Sequence, residues 1–183
     1  MTSIVGISGS LRRKSFNSAL LRAAAELMPE GATLDIASIA DIPLYNGDVE
    51  ASDGIPRAVS ELKDRIASAD ALLLATPEYN NSIPGVMKNA MDWLSRPPAD
   101  ISKVFGDRSV AIIGASPGGF GTTLAQSAWL PVIRTLRMRP WFAGRLLVSR
   151  AGAAFNDAGE LIDKEVRAQL QKFVEGFSEF AAH

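Results

Sequence analysis

Apolar and polar residues along the chain form two kinds of block that follow each other in turn. Short apolar runs predict buried β-strands, and apolar residues spaced three and four apart predict amphipathic helices. The closing helix shows that spacing in Val166, Leu170, Phe173, Val174, Phe177 and Phe180. The predicted strands cover residues 3–8, 33–39, 71–76, 109–115 and 145–149. The predicted helices cover residues 18–28, 56–69, 85–94, 123–136 and 165–180.

This alternation of five strands with five helices predicts a doubly wound α/β domain. The third strand shows no polar alternation, as expected where helices cover both faces of a parallel sheet. Five strands favour the order 2-1-3-4-5, which gives a three-layer sandwich with a five-stranded parallel sheet. No repeat, low-complexity tract or linker interrupts the pattern, so residues 1–183 are predicted to form a single domain.

In that strand order, ligands bind in the crevice outside the carboxyl ends of the first and third strands. The first loop that opens there, residues 9–17, joins a strand to a helix and combines glycine, hydroxyls and cations. Backbone N–H groups and the helix dipole converge in such a loop, so it predicts an anion site, with phosphate as the favoured guest. The side chains able to add donors or charge are Ser10, Arg12, Arg13, Lys14, Ser15 and Asn17. The alternative is a polar turn in which Ser15 or Asn17 caps the helix.

Two further loops reach the same crevice. The second, residues 77–84, offers Tyr79 and several amides between two prolines, which suits the edge of a planar heteroaromatic ring. Its alternatives are an ordinary packed aromatic and a cap for the following helix. The third, residues 116–121, is glycine-rich, so it is expected to bring backbone close to such a ring or else to be a mobile turn.

Composition narrows the chemistry further. The chain has no Cys, and its single His is the last residue, His183, so thiol nucleophiles, a Ser-His-Asp triad and a His-built metal site are not expected. A bound cofactor is therefore expected to carry any reaction. The net charge of −1 gives no reason to expect nucleic acid or an anionic membrane as partner. No signal peptide or membrane-length apolar run is visible, and a cytoplasmic location is expected.

Other nucleotide motifs of this architecture are missing. The first loop has neither a GxGxxG fingerprint nor a Walker A sequence. Thr76 stands where a response-regulator receiver would end its third strand with an acidic residue. A mononucleotide with a planar tricyclic head, FMN, fits the three loops best.

Two long motifs at a characteristic separation strengthen this interpretation. They are Gly9-Ser10-Leu11-Arg12 with Ser15 and Asn17, and Pro77-Glu78-Tyr79-Asn80 followed by Pro84-Gly85, Lys88-Asn89-Ala90 and Asp92-Trp93-Leu94-Ser95-Arg96. In these residues the chain resembles the NADPH-dependent FMN reductase family, the soluble quinone, chromate and azo-dye reductases of flavodoxin-like fold. The resemblance implies that NADPH or NADH donates a hydride to bound FMN. It also implies that a small molecule such as a quinone, chromate, an azo compound or free flavin accepts the electrons.

The resemblance also assigns residues by motif position. It implies a phosphate held by Ser10, Arg12, Ser15, Phe16 and Asn17, a flavin ring against Pro77, Glu78, Tyr79 and Asn80, and Ser116, Gly118 and Gly119 beside the ring. No side chain is expected to be catalytic. Glu78 is the one plausible carboxylate, and only a modest role is expected for it.

A non-catalytic electron carrier of the flavodoxin type is the alternative. Such carriers tend to be strongly acidic so that protein partners are steered electrostatically. The net charge of −1 and the cations Arg12, Arg13 and Lys14 in the first loop favour the reductase. The roles of Arg13 and Lys14 stay open between a general positive field and a site for the NADPH phosphate.

The family is typically dimeric or tetrameric, and the helix at residues 85–94 is more apolar than one core-facing stripe needs. The apolar residues are Val86, Met87, Ala90, Met91, Trp93 and Leu94. They predict a homodimer or homotetramer that associates through this helix. The alternative is that they pack inside the chain under the loop at Pro97 and Pro98.

Overall fold

The computed structural model describes all 183 residues, and its centre is one parallel sheet. The strands are β1 (Thr2–Ser8), β2 (Ala32–Ala37), β3 (Ala71–Ala75), β4 (Ser109–Ala115), β5 (Arg139–Pro140) and β6 (Leu146–Val148). Their order is β2-β1-β3-β4-β5, and β6 also pairs with β4. All pairs are parallel. The predicted flavodoxin-like order and sandwich are confirmed.

Helices lie on both faces of the sheet. They are α1 (Phe16–Glu26), α2 (Gly47–Asp53), α3 (Arg57–Ala67), α4 (Gly85–Leu94), α5 (Ile101–Val104), α6 (Thr123–Thr135), α7 (Ala151–Ala154) and α8 (Lys164–Ala181). The helix α6 continues through Pro131 without being split. None of the helices combines the length and the apolar character that a membrane span requires.

The strands are apolar because both of their faces are buried. In β3, Leu73 points to the core shared with α1 and α8, whereas Leu72 and Leu74 point to the core shared with α3, α4 and α6. All three leucines are at most 1% exposed. Burial of each stabilises the fold by about 1.5–3 kcal/mol, so the unbroken apolar run is what fixes β3 at the centre of the sheet.

The last strand differs from the prediction of one strand over residues 145–149. The edge position beside β4 is divided between β5 and β6, and residues 142–145 leave the ladder between them. The Trp141 N–H still donates to the Val110 carbonyl of β4 at 2.9 Å, and its ring packs edge-on against Phe173 of α8, with ring centroids 4.9 Å apart. The local sequence pattern does not reveal this interruption of the edge strand.

The sequence pattern assigns no helix or strand to residues 41–53, but this segment contains α2. Asn46 caps this helix by accepting a hydrogen bond from the Asp48 N–H at 2.9 Å, and Gly54 ends it at φ +80°. No residue of α2 is buried, so it has no apolar stripe that a sequence pattern would show.

The apolar residues from which an interface on α4 was predicted lie mostly in the chain's own core. Met87, Ala90, Met91, Trp93 and Leu94 are all at most 1% exposed within the chain, and only Val86 reaches 36%. The sheet covers most of this set, and Tyr45 covers Trp93 edge-on with ring centroids 4.9 Å apart. Burial of these residues removes the apolar surplus from which the interface was predicted, and the oligomer itself stays a prediction.

Candidate functional site

Three loops meet at the carboxyl edge of the sheet because parallel strands all end on the same side. They are the first loop (residues 9–15), the second loop (residues 76–84) and the third loop (residues 116–122), which follow β1, β3 and β4. Gly9 joins the first two, since its N–H donates to the Ala75 carbonyl at 2.9 Å. A Cβ on Gly9 would come within 2.7 Å of Pro84 Cγ and 2.8 Å of Pro77 Cδ. Only glycine allows the loops to approach this closely.

A second glycine makes the same kind of contact deeper in the crevice. A Cβ on Gly114 would overlap the Thr122 Oγ1 atom and lie 2.5 Å from the Thr76 carbonyl oxygen. Thr76 is fully buried and accepts a hydrogen bond from Trp129 Nε1 at 3.0 Å. The floor between the second and third loops is thus rigid and tightly packed.

The first loop is closed by its own hydroxyl groups. Ser15 caps α1 by accepting a hydrogen bond from the Ser18 N–H at 3.2 Å, and the Ser10 hydroxyl accepts one from the Arg12 N–H at 3.4 Å. The backbone N–H groups of Phe16 and Asn17, the first two of α1, have no acceptor in the chain. Both serine O–H groups remain able to donate. Free N–H groups at the positive end of a helix, framed by two hydroxyls, favour an anion such as a phosphate.

The Asn17 side chain has another task. Its amide is 3% exposed, accepts a hydrogen bond from the Ala115 N–H at 2.9 Å and donates one to the Ala115 carbonyl at 2.9 Å. The amide therefore ties α1 to the end of β4 with its oxygen and one of its two N–H donors. The second N–H of the side-chain amide and the backbone N–H of Asn17 have no acceptor in the chain. Its neighbour Phe16 stacks on Phe155, with ring centroids 5.7 Å apart.

The second loop turns through a tight hairpin. Tyr79 and Ser82 exchange backbone hydrogen bonds of 3.1 and 3.0 Å, and the two residues between them, Asn80 and Asn81, have φ values of +50° and +61°. Two-residue hairpins require positive φ at both central positions, and asparagine tolerates it better than most residues. The turn leaves Tyr79 44% exposed at the crevice.

Glu78 connects the second loop to the helix that follows the third. One oxygen, Oε2, accepts hydrogen bonds from the N–H groups of Leu124 and Ala125 at 2.8 and 3.0 Å. The residue at the start of α6, Thr122, makes no capping bond with its own side chain. Glu78 therefore supplies the missing cap from 46 residues away, and its carboxylate is held as an acceptor.

The third loop lies beside β6. The Ser116 N–H donates to the Val148 carbonyl at 2.9 Å, and the Gly118 N–H donates to the Ser116 hydroxyl at 3.1 Å. A Cβ on Gly119 would meet no atom within 4 Å, and Phe120 is 86% exposed. The loop thus presents backbone and one bare aromatic ring at the mouth of the crevice.

Asn89 and Trp93, which belong to the second sequence motif, lie on α4 and bind residues 43–45 of the segment that follows β2. The Asn89 side-chain amide donates to the Pro43 carbonyl at 2.8 Å and accepts from the Tyr45 N–H at 2.8 Å. Trp93 Nε1 donates to the same Pro43 carbonyl at 2.9 Å. These hydrogen bonds hold residues 43–45 against α4. Asn89 and Trp93 therefore have a structural role.

An ion pair completes this support. Arg96 Nε donates to both carboxylate oxygens of Glu50, at 3.0 and 2.8 Å, and this hydrogen bonding holds the pKa of Glu50 below its ordinary value. The Tyr45 hydroxyl donates to the same carboxylate at 2.9 Å, which raises the pKa of Tyr45.

The sequence pattern does not reveal the partners of Asn17, Glu78 and Asn89, and the assignment of the crevice residues to a ligand stays a prediction. All three are polar side chains that bond backbone groups far away in sequence. The sequence offers one clue to such residues: a carboxylate or amide side chain in a loop or helix with no hydrogen-bonding partner among its sequence neighbours.

Comparison with known proteins gives consistent matches over nearly the whole chain. The model of the family described as NADPH-dependent FMN reductase matches residues 2–153. An NAD(P)H-dependent FMN reductase of Pseudomonas aeruginosa is 46% identical over 169 residues, which cover 92% of this chain and 89% of that protein. A 2-hydroxy-1,4-benzoquinone reductase of Burkholderia is 37% identical over 175 residues, covering 96% of this chain and 93% of that protein.

A solved structure agrees with these sequence matches. The flavoenzyme NAD(P)H:(acceptor) oxidoreductase FerB of Paracoccus denitrificans superposes with a TM-score of 0.88 and 32% sequence identity. The superposition covers 100% of this chain and 98% of that chain.

Proposed function

The chain belongs to the NADPH-dependent FMN reductase family, and on that premise we propose that its three-loop crevice holds one FMN and carries electrons from NAD(P)H to a quinone. Membership confirms the predictions of a flavoprotein oxidoreductase and of FMN and NAD(P)H as cofactors, and it favours the reductase over the electron carrier. The observation that carries the proposal is the pair of free N–H groups at the start of α1, framed by two hydroxyls in the crevice.

The residues present fit the phosphate end of FMN. The N–H groups of Phe16 and Asn17 have no acceptor in the chain, and the hydroxyls of Ser10 and Ser15 in the same loop can still donate. Arg12 is exposed in this loop and forms no ion pair in the chain, so its guanidinium is free for the phosphate. We propose that Asn17 takes part through its backbone N–H and through the free N–H of its side-chain amide.

The ring end would lie between the second and third loops. We propose Pro77, Glu78, Tyr79 and Asn80 on one side and Ser116, Gly118 and Gly119 on the other, as the motif positions imply. Bound FMN supplies the hydride acceptance and electron release that no side chain here can perform. The chain itself supplies a rigid frame, because Gly9, Gly114 and Glu78 lock the loops to each other.

We propose that no protein acid takes part in the electron transfer. The chain has no Cys, its one His is His183, and the Glu78 carboxylate is engaged as a helix cap. Substrate is then held by shape and by the exposed rings of Tyr79 and Phe120, which suit a planar apolar acceptor such as a quinone. The relative named 2-hydroxy-1,4-benzoquinone reductase supports this acceptor class.

Steady-state kinetics on FMN-loaded protein test the proposal. Donor and acceptor that use the same open ring face in turn predict ping-pong kinetics, with parallel double-reciprocal lines when NADPH and a benzoquinone are varied. Each substrate should compete with the other for the free site. Intersecting lines, which require a ternary complex, contradict the shared face. Absence of any quinone-dependent NAD(P)H oxidation contradicts the function itself.

We also propose that the protein is a homo-oligomer, with the interface beside α6 and not on α4. Leu130 and Phe142 line one surface pocket and are exposed by 41% and 71%, and Leu124, which also lies on α6, is exposed by 48%. Exposed apolar patches on a surface mark association sites. Light scattering at micromolar concentration should give at least twice the chain mass, and a monomeric mass contradicts the proposal.

A further inference from the structure

A polar cavity opens at the first loop and the start of α1, and Arg12, Ser15 and Phe16 of the phosphate site line part of it. Its volume is about 260 Å³, and it lies between the start of α1 and residues 152–159. Four cations line it, Arg12, Arg13, Lys14 and Arg22, against a single carboxylate, Asp157. The imbalance in charge gives the cavity a positive potential that favours an anionic guest.

These four cations have no partners within the chain. None of the ion pairs in the structure includes them, and their side chains donate no hydrogen bond to another residue. Like charges gathered without a counter-charge repel one another, and a bound anion relieves that repulsion. The four unpaired cations are therefore better suited to binding an anion than to stabilising the fold.

The phosphate of FMN would neutralise only part of this positive charge. That phosphate is matched by the N–H groups at the start of α1, by two hydroxyls and by Arg12. Arg22 lies six residues further along α1, about 9 Å from Phe16 along the helix axis. Phe16, Ala19 and Arg22 follow a spacing of three and line the same cavity. Arg13, Lys14 and Arg22 thus remain for a second anion.

The cavity wall also leaves room for the Arg22 guanidinium. Gly159 faces it with φ +79°, and a Cβ there would come within 3.0 Å of Arg22 Nη2. A Cβ at position 159 would require the guanidinium to shift by a few tenths of an ångström. A planar guanidinium binds phosphate in a bidentate manner, which makes Arg22 the strongest candidate ligand.

We propose that the second anion is the 2′-phosphate of NADPH, and that Arg22, with Arg13 and Lys14, makes the enzyme prefer NADPH over NADH. The proposal rests on the proposed function of the neighbouring crevice. The two donors differ only in this phosphate monoester, so a positive cavity that extends beyond the phosphate site discriminates between them. Ser15 and Phe16 border the cavity, so a dinucleotide with its nicotinamide in the crevice can extend its adenosine end along α1.

The test compares kcat/KM for NADPH and NADH in FMN-loaded protein carrying Arg22→Ala, Lys14→Ala or both. The NADPH:NADH ratio should fall about tenfold for each single variant and further for the double, as expected for charge-assisted hydrogen bonds to phosphate. Arg22→Lys should retain part of the preference. Lys172→Ala, which removes an exposed and unpaired cation of α8 outside the cavity, should leave the ratio unchanged.

Inhibition by adenosine 2′,5′-bisphosphate and by adenosine 5′-monophosphate gives a second readout. The bisphosphate should bind the parent protein more tightly, and the difference should disappear in Arg22→Ala. An unchanged NADPH:NADH ratio, or an equal loss for both donors, overturns the proposal. Inorganic phosphate that inhibits both donors equally would reduce the cavity to a site for free anions and also overturns it. If neither donor is oxidised, the proposed function fails, while calorimetry of the bisphosphate on parent and Arg22→Ala still decides the anion site.

Discussion

Replacing Glu78 shows whether its carboxylate has a structural role or a catalytic one. Its Oε2 accepts two backbone hydrogen bonds of 2.8 and 3.0 Å at the start of α6. Loss of a helix cap costs about 0.5–2 kcal/mol, and a negative charge at a helix N-terminus contributes about 0.3–1 kcal/mol. We therefore expect Glu78→Ala to lower the free energy of unfolding by about 1–3 kcal/mol. Glu78→Gln keeps an acceptor oxygen and loses only the charge, so its loss should be about 0.3–1 kcal/mol.

The assay combines urea unfolding with steady-state turnover of FMN-loaded protein. Asp163 provides the matched control, because it caps α8 with the same pair of contacts, from the N–H groups of Glu165 and Val166 at 2.9 and 3.0 Å. Asp163→Ala should lower stability by a similar amount without changing FMN affinity, whereas Glu78→Ala should also weaken FMN because the second loop loosens. Glu78→Gln should stay within severalfold of the parent rate. A Glu78→Gln protein that binds FMN but has lost its activity would refute the reasoning, since it would reveal a protein acid.

Three further perturbations follow from the same contacts. Arg12→Ala should weaken FMN about ten- to a hundredfold in a flavin titration, because it removes a charge-assisted contact to phosphate; an unchanged affinity contradicts the phosphate assignment. Gly9→Ala should lower stability by about 1–3 kcal/mol in urea and weaken FMN, since the added methyl group pushes the first two loops apart; wild-type unfolding would contradict the close approach. The pKa of Glu50 is lowered by its hydrogen bonds from Arg96, so the stabilisation from this pair is present above the ordinary value of 4.5 and is lost as pH falls through the lowered pKa. Glu50→Gln should abolish that acid-side loss, as followed by unfolding monitored through Trp fluorescence between pH 5 and 3, and an unchanged acid dependence contradicts it.

The sequence by itself determined the layers of the fold and the position of the crevice. Apolar runs such as the one in β3 need helices on both faces, and the alternation of elements then leaves few strand orders. Once the strands are parallel, their carboxyl ends must lie together, so the loops at residues 9–15, 76–84 and 116–122 had to meet. These conclusions depend on the local periodicity of apolar residues and on the direction of the chain, and both can be read from a single sequence.

Only the tertiary structure decided what the polar residues of that crevice do. Asn17 had the features of a phosphate ligand, and the structure gives it a further role, since its amide is bonded to Ala115, 98 residues away. Glu78 had the features of an acid, but it caps a helix that begins 45 residues later in the chain. The apolar side of α4 had the features of an interface, but Tyr45 and the sheet cover it. A polar or apolar side chain takes whichever partner the fold brings within bonding distance, and that partner is set by contacts between distant segments that leave no periodic trace in the sequence.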